Sequence, residues 1–137
     1  MWAPLLEKAW AKVHGSYTYS ADPGFVQNGI RALAGIPVFT YDATDLVSER
    51  LLAQAYELLD SANYQNYLVG ASTAGVPEDN ACGVRPGHSY SILSAFKMED
   101  LSGLHHRMLL MRDPKGYTSY SGPWAADDPA WSGALLA

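Results

Sequence analysis

The chain has 137 residues, about the length of one domain. With 48% apolar and 17% charged residues it has material for a core, which disfavours a disordered segment, and no apolar run reaches the ~18 residues of a membrane span. A formal net charge of −5 disfavours an electrostatic nucleic-acid binder, and the lone cysteine, Cys82, excludes a disulfide-stapled scaffold and suits a reducing, cytoplasmic setting.

In chain order, Pro4–Val13 is expected to be a helix. Leu5, Leu6, Ala9, Trp10 and Val13 recur at three- and four-residue spacing and give one apolar face. Pro4 suits its first turn and Gly15 its stop. Ser16–Gly24 is rich in turn formers. A second, short helix runs from about Phe25 to Ala34 and is closed by Gly35 and Pro37, although Asn28-Gly29 inside it weakens the pattern. A third helix follows a cap at Thr44 or Asp45. Leu46, Leu51, Leu52, Ala55, Leu58 and Leu59 mark its core-facing stripe, and it ends near Asp60–Asn63. Beyond Tyr64 the texture becomes strand-like, with runs at Tyr67–Ala71, His88–Lys97 and His106–Arg112. Ser72–Cys82 reads as a loop and Met98–His105, which contains Gly103, as a hairpin connection. The Pro- and Gly-rich tail from Asp113 leaves room for a short strand around Tyr117–Ser121. Helices first and antiparallel strands second predict an α+β fold with N-terminal helices packed on an antiparallel sheet. There is no repeat, linker or low-complexity tract, so residues 1–137 read as a single domain. Its abrupt first and last residues suit a part of a larger one. No secretion signal opens the sequence.

The hairpin carries a chemical inference. If its two strands pair about a turn centred near Asp100–Leu101, His88 faces Asp113, and directly opposed residues hold their Cβ atoms ~4.5–5.5 Å apart. An Asp that accepts from one imidazole nitrogen fixes the ring and leaves the other nitrogen free to move protons. That is the base and orienter of a nucleophilic triad. By pattern alone, a surface polar pair is the commoner meaning of such a coincidence.

The local sequence is more specific. Gly87-His88-Ser89-Tyr90-Ser91 resembles the Gly-His-Ala-Tyr-Ser segment around the catalytic histidine of calpain-type cysteine proteases. Arg112-Asp113-Pro114-Lys115-Gly116 is similar to that family's Arg-Asn-Pro-Trp-Gly, whose Asn orients the histidine. Tyr120-Ser121-Gly122-Pro123-Trp124, followed by Trp131, resembles its Trp-Thr-Gly-x-Trp and later Trp. Upstream, Leu5 to Tyr17 is similar to the family's Leu-Leu-Glu-Lys-Ala-Tyr-Ala-Lys helix and the Gly-x-Tyr that follows. The resemblance implies a papain-like core of two lobes, of which this chain matches the β-rich lobe that carries His and Asn. The family's Gly-Asp-Cys-Trp nucleophile segment is absent from these residues, as are its strands beyond the second Trp. The resemblance therefore implies peptide-bond hydrolysis with His88 as general base and acid, Asp113 as orienter, a Cys supplied from outside this chain, and a polypeptide substrate.

Three departures bear on that reading. Asp113 stands where the family usually has Asn, and its charge favours the imidazolium form. Lys115 replaces the Trp that shields the pair from water, and a lysine there competes for the carboxylate. The acidic loops through which the family binds calcium are thinned to Asp127 and Asp128, so weak or absent calcium binding is expected. These departures motivate a second reading, a calpain-like scaffold or protein-binding module that no longer cleaves. A third is an independent small binding domain.

Other residues have blander readings. Cys82 lies six residues before His88 and precedes no helix that would lower its pKa, so an inert loop thiol is the default. Ser89 and Ser91 follow His88 too closely to point at its ring. His105 and His106 would face opposite sides of a strand and share no metal. His14 reads as a helix-end histidine without an evident partner. Half of a two-lobed core exposes the surface meant for its partner, so self-association or marginal stability is expected.

Overall fold

A computed structural model describes residues 2–21, 24–42, 48–73, 75, 82–116 and 120–131. The chain divides into two units, Met1–Val38 and Phe39–Ala137.

Among the described residues the first unit holds three helices, α1 (Trp2–Val13), α2 (Tyr17–Ala21) and α3 (Val26–Ala34). In α1 Pro4 lies in the first turn, where a missing N–H is harmless. Gly15, at φ 86°, lets the chain leave in the left-handed region. Its apolar face is only partly used. Ala11 is the buried residue, whereas Leu5 and Val13 are exposed. Helix α2 forms where turns were expected. The Ser16 hydroxyl accepts from the Tyr19 N–H (3.3 Å), which starts a helical turn that composition alone reads as loop. His14 has partners after all. Its ring stacks on Tyr19 (centroids 4.3 Å apart) and tilts against Trp10 (4.5 Å). Helix α3 tolerates Asn28-Gly29 and ends as expected, with Gly35 at φ 65° donating its N–H to the Arg31 carbonyl.

The second unit pairs one helix with a sheet. Helix α4 spans Glu49–Tyr64. The expected caps Thr44 and Asp45, and Leu46, lie outside the described residues. Ser48 caps the described helix, its hydroxyl accepting from the Leu51 N–H (3.3 Å). Leu51, Ala55 and Leu59 are half-buried and Tyr56 is buried, but Leu52 and Leu58 of the expected stripe are exposed. The inward face is thus narrower than the apolar pattern. Helix α4 packs on strands β1 (Val69–Ser72) and β2 (Ser89–Glu99), and Lys97 reaches Glu57 across that contact (3.0 Å).

Strand β3 (His105–Arg112) completes an antiparallel sheet of order β1-β2-β3, which makes the fold α+β. The β2–β3 loop is organised by Asp100. Its Oδ1 accepts the N–H groups of Ser102 and Leu104 and the Ser102 hydroxyl, while its Oδ2 bonds His106 Nε2 (2.8 Å). Gly103, at φ 84°, closes the turn. The described tail, residues 120–131, is a chain of turns with no strand at Tyr120 or Ser121; the rest of the expected Tyr117–Ser121 strand lies outside the described residues. A Cβ at Gly122 would sit 2.6 Å from the Tyr120 hydroxyl, so a side chain there would have to displace the Tyr120 ring. Asp128 caps the next turn through the Trp124 and Ala130 N–H groups (2.6 and 2.9 Å). Trp124 packs edge-on against both His106 and Trp131. Among the described residues no helix is long and apolar enough to cross a membrane.

Candidate active site

His88 stands one residue before β2, and the chain is delivered there by Gly87 at φ 58°. An L-residue with a side chain loses ~1–2 kcal/mol in that conformation, which is why glycine suits the position. The backbone of His88 is then clamped by Thr73, one residue past β1. The His88 N–H donates to Thr73 Oγ1 (3.0 Å), and the Thr73 N–H donates to the His88 carbonyl (2.9 Å). The Thr73 hydroxyl donates in turn to the Arg85 carbonyl. The edge of the sheet therefore fixes where His88 begins.

Asp113 follows β3 directly and opens a tight turn. Pro114 and Gly116 suit positions two and four, and the Gly116 N–H donates to the Asp113 carbonyl (3.0 Å). The Lys115 N–H donates to Asp113 Oδ1 (2.8 Å), a side-chain turn that orients the carboxylate. His88 Nε2 meets the same oxygen at 2.8 Å. The pair is largely withdrawn from solvent, with side chains 12% and 9% exposed.

The two residues meet for a different reason than direct opposition. The register pairs Glu99 with His105 and Ser94 with Leu110, then shifts at a bulge so that Ile92 faces Met111 and Ser91 faces Arg112. Continued outward, it sets Asp113 opposite Tyr90, two residues from His88. Side chains two apart share a face, and such diagonal neighbours lie within reach. Without the extra residue at Leu93, Asp113 would oppose Ser91 and point to the other face. A bulge that the sequence does not announce therefore brings the carboxylate to the imidazole.

Two further side chains complete the cluster. The Tyr90 ring stands edge-on to His88 (4.8 Å, 86°), and its hydroxyl accepts the Arg85 N–H (2.9 Å). Arg85 places Nε 3.8 Å from Asp113 Oδ2. The Asp113 carboxyl is held below its ordinary value of 3.8, chiefly by the His88 bond. Partial burial opposes this, and the Lys115 N–H and the charges of His88 and Arg85 assist it. An ionised Asp113 accepts, so Nε2 carries the proton of the neutral ring. Nδ1 is then an acceptor that no described residue engages, which equips it to take a proton from a nucleophile. Lys115 meets the carboxylate through its backbone, whereas the cation beside Asp113 is Arg85. Thr73, Arg85 and Tyr90 were not singled out from the sequence for any role around His88. Proximity to His88 in sequence could have flagged Arg85, but Thr73 arrives from another strand.

The other candidates stand apart from this chemistry. Cys82 is half-buried in a turn, where its carbonyl accepts the Ser121 N–H (2.9 Å). His105 lies 3.9 Å from Glu99, whereas His106 pairs with Asp100, so the tandem histidines have separate partners. Among the described residues no cluster of three or more His, Cys, Asp or Glu could hold a metal ion. Both Asp128 oxygens are committed to backbone N–H groups, which does not fit a hard-cation site.

The chain is similar to known proteins over nearly its whole length. The profile described as "Calpain family cysteine protease" matches residues 1–134. The chain is 30% identical over 141 residues to the calpain-type cysteine protease DEK1 of Zea mays, covering 96% of this chain and 6% of that protein. It is 33% identical over 135 residues to calpain-12 of Mus musculus, with 95% and 17% covered. It is 29% identical over 141 residues to calpain-9 of Rattus norvegicus, with 98% and 19% covered. It thus spans less than a fifth of the length of each of these relatives. With a profile matched from one end to nearly the other, this chain belongs to the calpain family of cysteine proteases.

Proposed function

We propose that this chain is the histidine-bearing half of a calpain-like cysteine endopeptidase core, with a nucleophilic Cys supplied by a segment outside these residues. The observation that carries the reading is the 2.8 Å bond between His88 Nε2 and Asp113 Oδ1, which leaves Nδ1 directed to other work. Nδ1 takes the proton of the incoming thiol, and the thiolate attacks the scissile carbonyl carbon. The resulting imidazolium gives that proton to the departing amine, and a thioester remains. Water, deprotonated by His88, attacks the thioester, and the thiol leaves with its proton restored. Asp113 holds the ring in one tautomer throughout and stabilises its charged form. The partners in this reading are the Cys-bearing half and a polypeptide substrate. Calcium has no step in it, since the described acidic residues do not fit a site for it. A reducing, intracellular setting suits both the lone Cys82 and a reactive thiol.

Lys115 stands exposed where a shielding Trp is usual, and this favours the second reading, a scaffold that does not cleave. The two readings separate in one experiment. The chain alone, with and without calcium, is expected to leave an unstructured protein substrate intact. A longer form that carries Cys in a Gly-x-Cys-Trp context should cleave it. Cys82→Ser should not change that turnover, and His88→Ala should lower it by ~10³-fold or more. Turnover by the chain alone that vanishes with Cys82→Ser overturns the proposal. A longer form without that Cys and without turnover supports the scaffold.

A further inference from the structure

A hydrogen bond between an imidazole and a carboxylate is stronger and better fixed where water does not compete for its two partners. The His88–Asp113 pair is largely withdrawn from solvent. Yet Lys115, at the position of the resemblance's shielding Trp, is exposed and meets Asp113 through its backbone N–H.

The strand pairing points to another cover. Tyr90 faces Ala71 across β1 and β2. The β2–β3 register, carried one step past Ser91 and Arg112, sets Asp113 on the other side of Tyr90. His88 lies two residues before Tyr90 and shares its face. The Tyr90 side chain therefore stands beside both members of the pair, and its neighbour on the third side is no larger than a methyl group. Among the described residues it is the ring packed against His88, with centroids 4.8 Å apart at 86°. An edge-to-face contact of that kind is a preferred one for aromatic rings. The far end of the ring is pinned as well. Its hydroxyl accepts the Arg85 N–H (2.9 Å), and the Arg85 carbonyl accepts the Thr73 hydroxyl, whose oxygen in turn accepts the His88 N–H (3.0 Å). The same loop that fixes the His88 backbone thus fixes the ring beside its side chain.

We propose that Tyr90 is a positioning residue whose ring, rather than the side chain at position 115, keeps water from the His88–Asp113 hydrogen bond. The proposal rests on reading His88 as the general base, but its test needs no catalysis. While Asp113 accepts from it, Nε2 carries a proton in both charge states of the ring, so the reporting proton is present wherever the ring titrates. Exchange of this proton with water is followed by heteronuclear magnetic resonance in the full 137-residue chain, in the cold and at one fixed pH. The Nε2 proton of His106, held by Asp100 Oδ2 at 2.8 Å, serves as the internal reference. Each signal is assigned by its loss in His88→Gln or His106→Gln. Both are expected in the parent chain. Tyr90→Ala should speed exchange at His88 by ~10-fold or more, because water then reaches a bond that the ring had covered. Tyr90→Phe, which keeps the ring, and Lys115→Ala should both stay within ~3-fold of the parent, and His106 should stay within ~3-fold in all three variants. A His88 proton that exchanges no faster in Tyr90→Ala than in Tyr90→Phe overturns the proposal. So does Lys115→Ala if it speeds exchange as much as Tyr90→Ala, and so does a parent chain without the His88 signal. Equal acceleration at His88 and His106 in Tyr90→Ala also overturns it, since that is general loosening rather than a local shield. If the longer form proves not to cleave while the variants separate as expected, it is the protease reading that fails and the shield that stands.

Discussion

At the scale of single residues, the site is a contest over protons. Asp100, Asp113 and Asp128 are all held below the usual carboxylate range by hydrogen bonds to their charged forms. Asp100 is bound first by the Ser102 hydroxyl and then by His106, Asp113 first by His88, and Asp128 by the Ala130 and Trp124 N–H groups. The folded pKa of each lies under its unfolded value of 3.8, so each adds stability that is fully present above about pH 4. That stability is lost as pH falls through the folded value. Urea midpoints measured from pH 7 down to 2 should therefore drop steeply below about pH 4. Asp100→Asn should flatten that drop more than Asp113→Asn, since the Asp100 shift is the larger. An acid profile unchanged in both variants would show that neither carboxylate gains from folding. His88 is the residue whose surroundings the sequence described least well. Its flanking motif was visible, but Arg85 and Thr73 act on it through space.

At the scale of elements, the site is a product of strand ends. Strand β1 contributes neither member of the His88–Asp113 pair, yet Thr73 at its exit holds His88 through the hydrogen bonds of one hydroxyl and one N–H. Thr73→Val keeps the shape and removes the hydroxyl, so the part-buried His88 N–H and the Arg85 carbonyl both lose a partner. A loss of ~1–3 kcal/mol in urea unfolding is expected, with Thr73→Ser restoring most of it. Equal stability of Thr73→Val and the parent chain would remove Thr73 from the account. The β2 bulge is the other element-scale device. Alternation along a strand fixes which residues share a face, but not where an extra residue is inserted. The sequence placed the hairpin turn near Asp100–Leu101. The actual loop spans Asp100 to Leu104, and the pairing is centred farther along it. The expected nearness of His88 and Asp113 survives because the remaining offset is even and keeps them on one face.

At the scale of the whole molecule, burial is the governing quantity. The buried apolar residues described are Ala11, Tyr56, Ala95 and Ala125, while Leu109 and Leu110, on opposite faces of β3, are 40% and 52% exposed. Among the described residues strand β3 is also a sheet edge. A strand apolar on both faces is one built to be covered on both. The chain by itself is therefore expected to self-associate at micromolar concentration and to bind a hydrophobic dye. Leu110→Lys should weaken both, as seen by sedimentation velocity and dye fluorescence. A compact monomer that binds no dye would contradict this. The α+β order, the helix stops at Gly15 and Gly35, the β2–β3 hairpin and the family were all legible in the sequence, because each depends on residues a few positions apart or on motif segments read in order. What only the tertiary structure decided is which apolar residues go inside, the bulge that turns Asp113 toward His88, and the approach of Thr73 and Arg85. Those depend on contacts between segments 12 to 28 residues apart, and no local period encodes them.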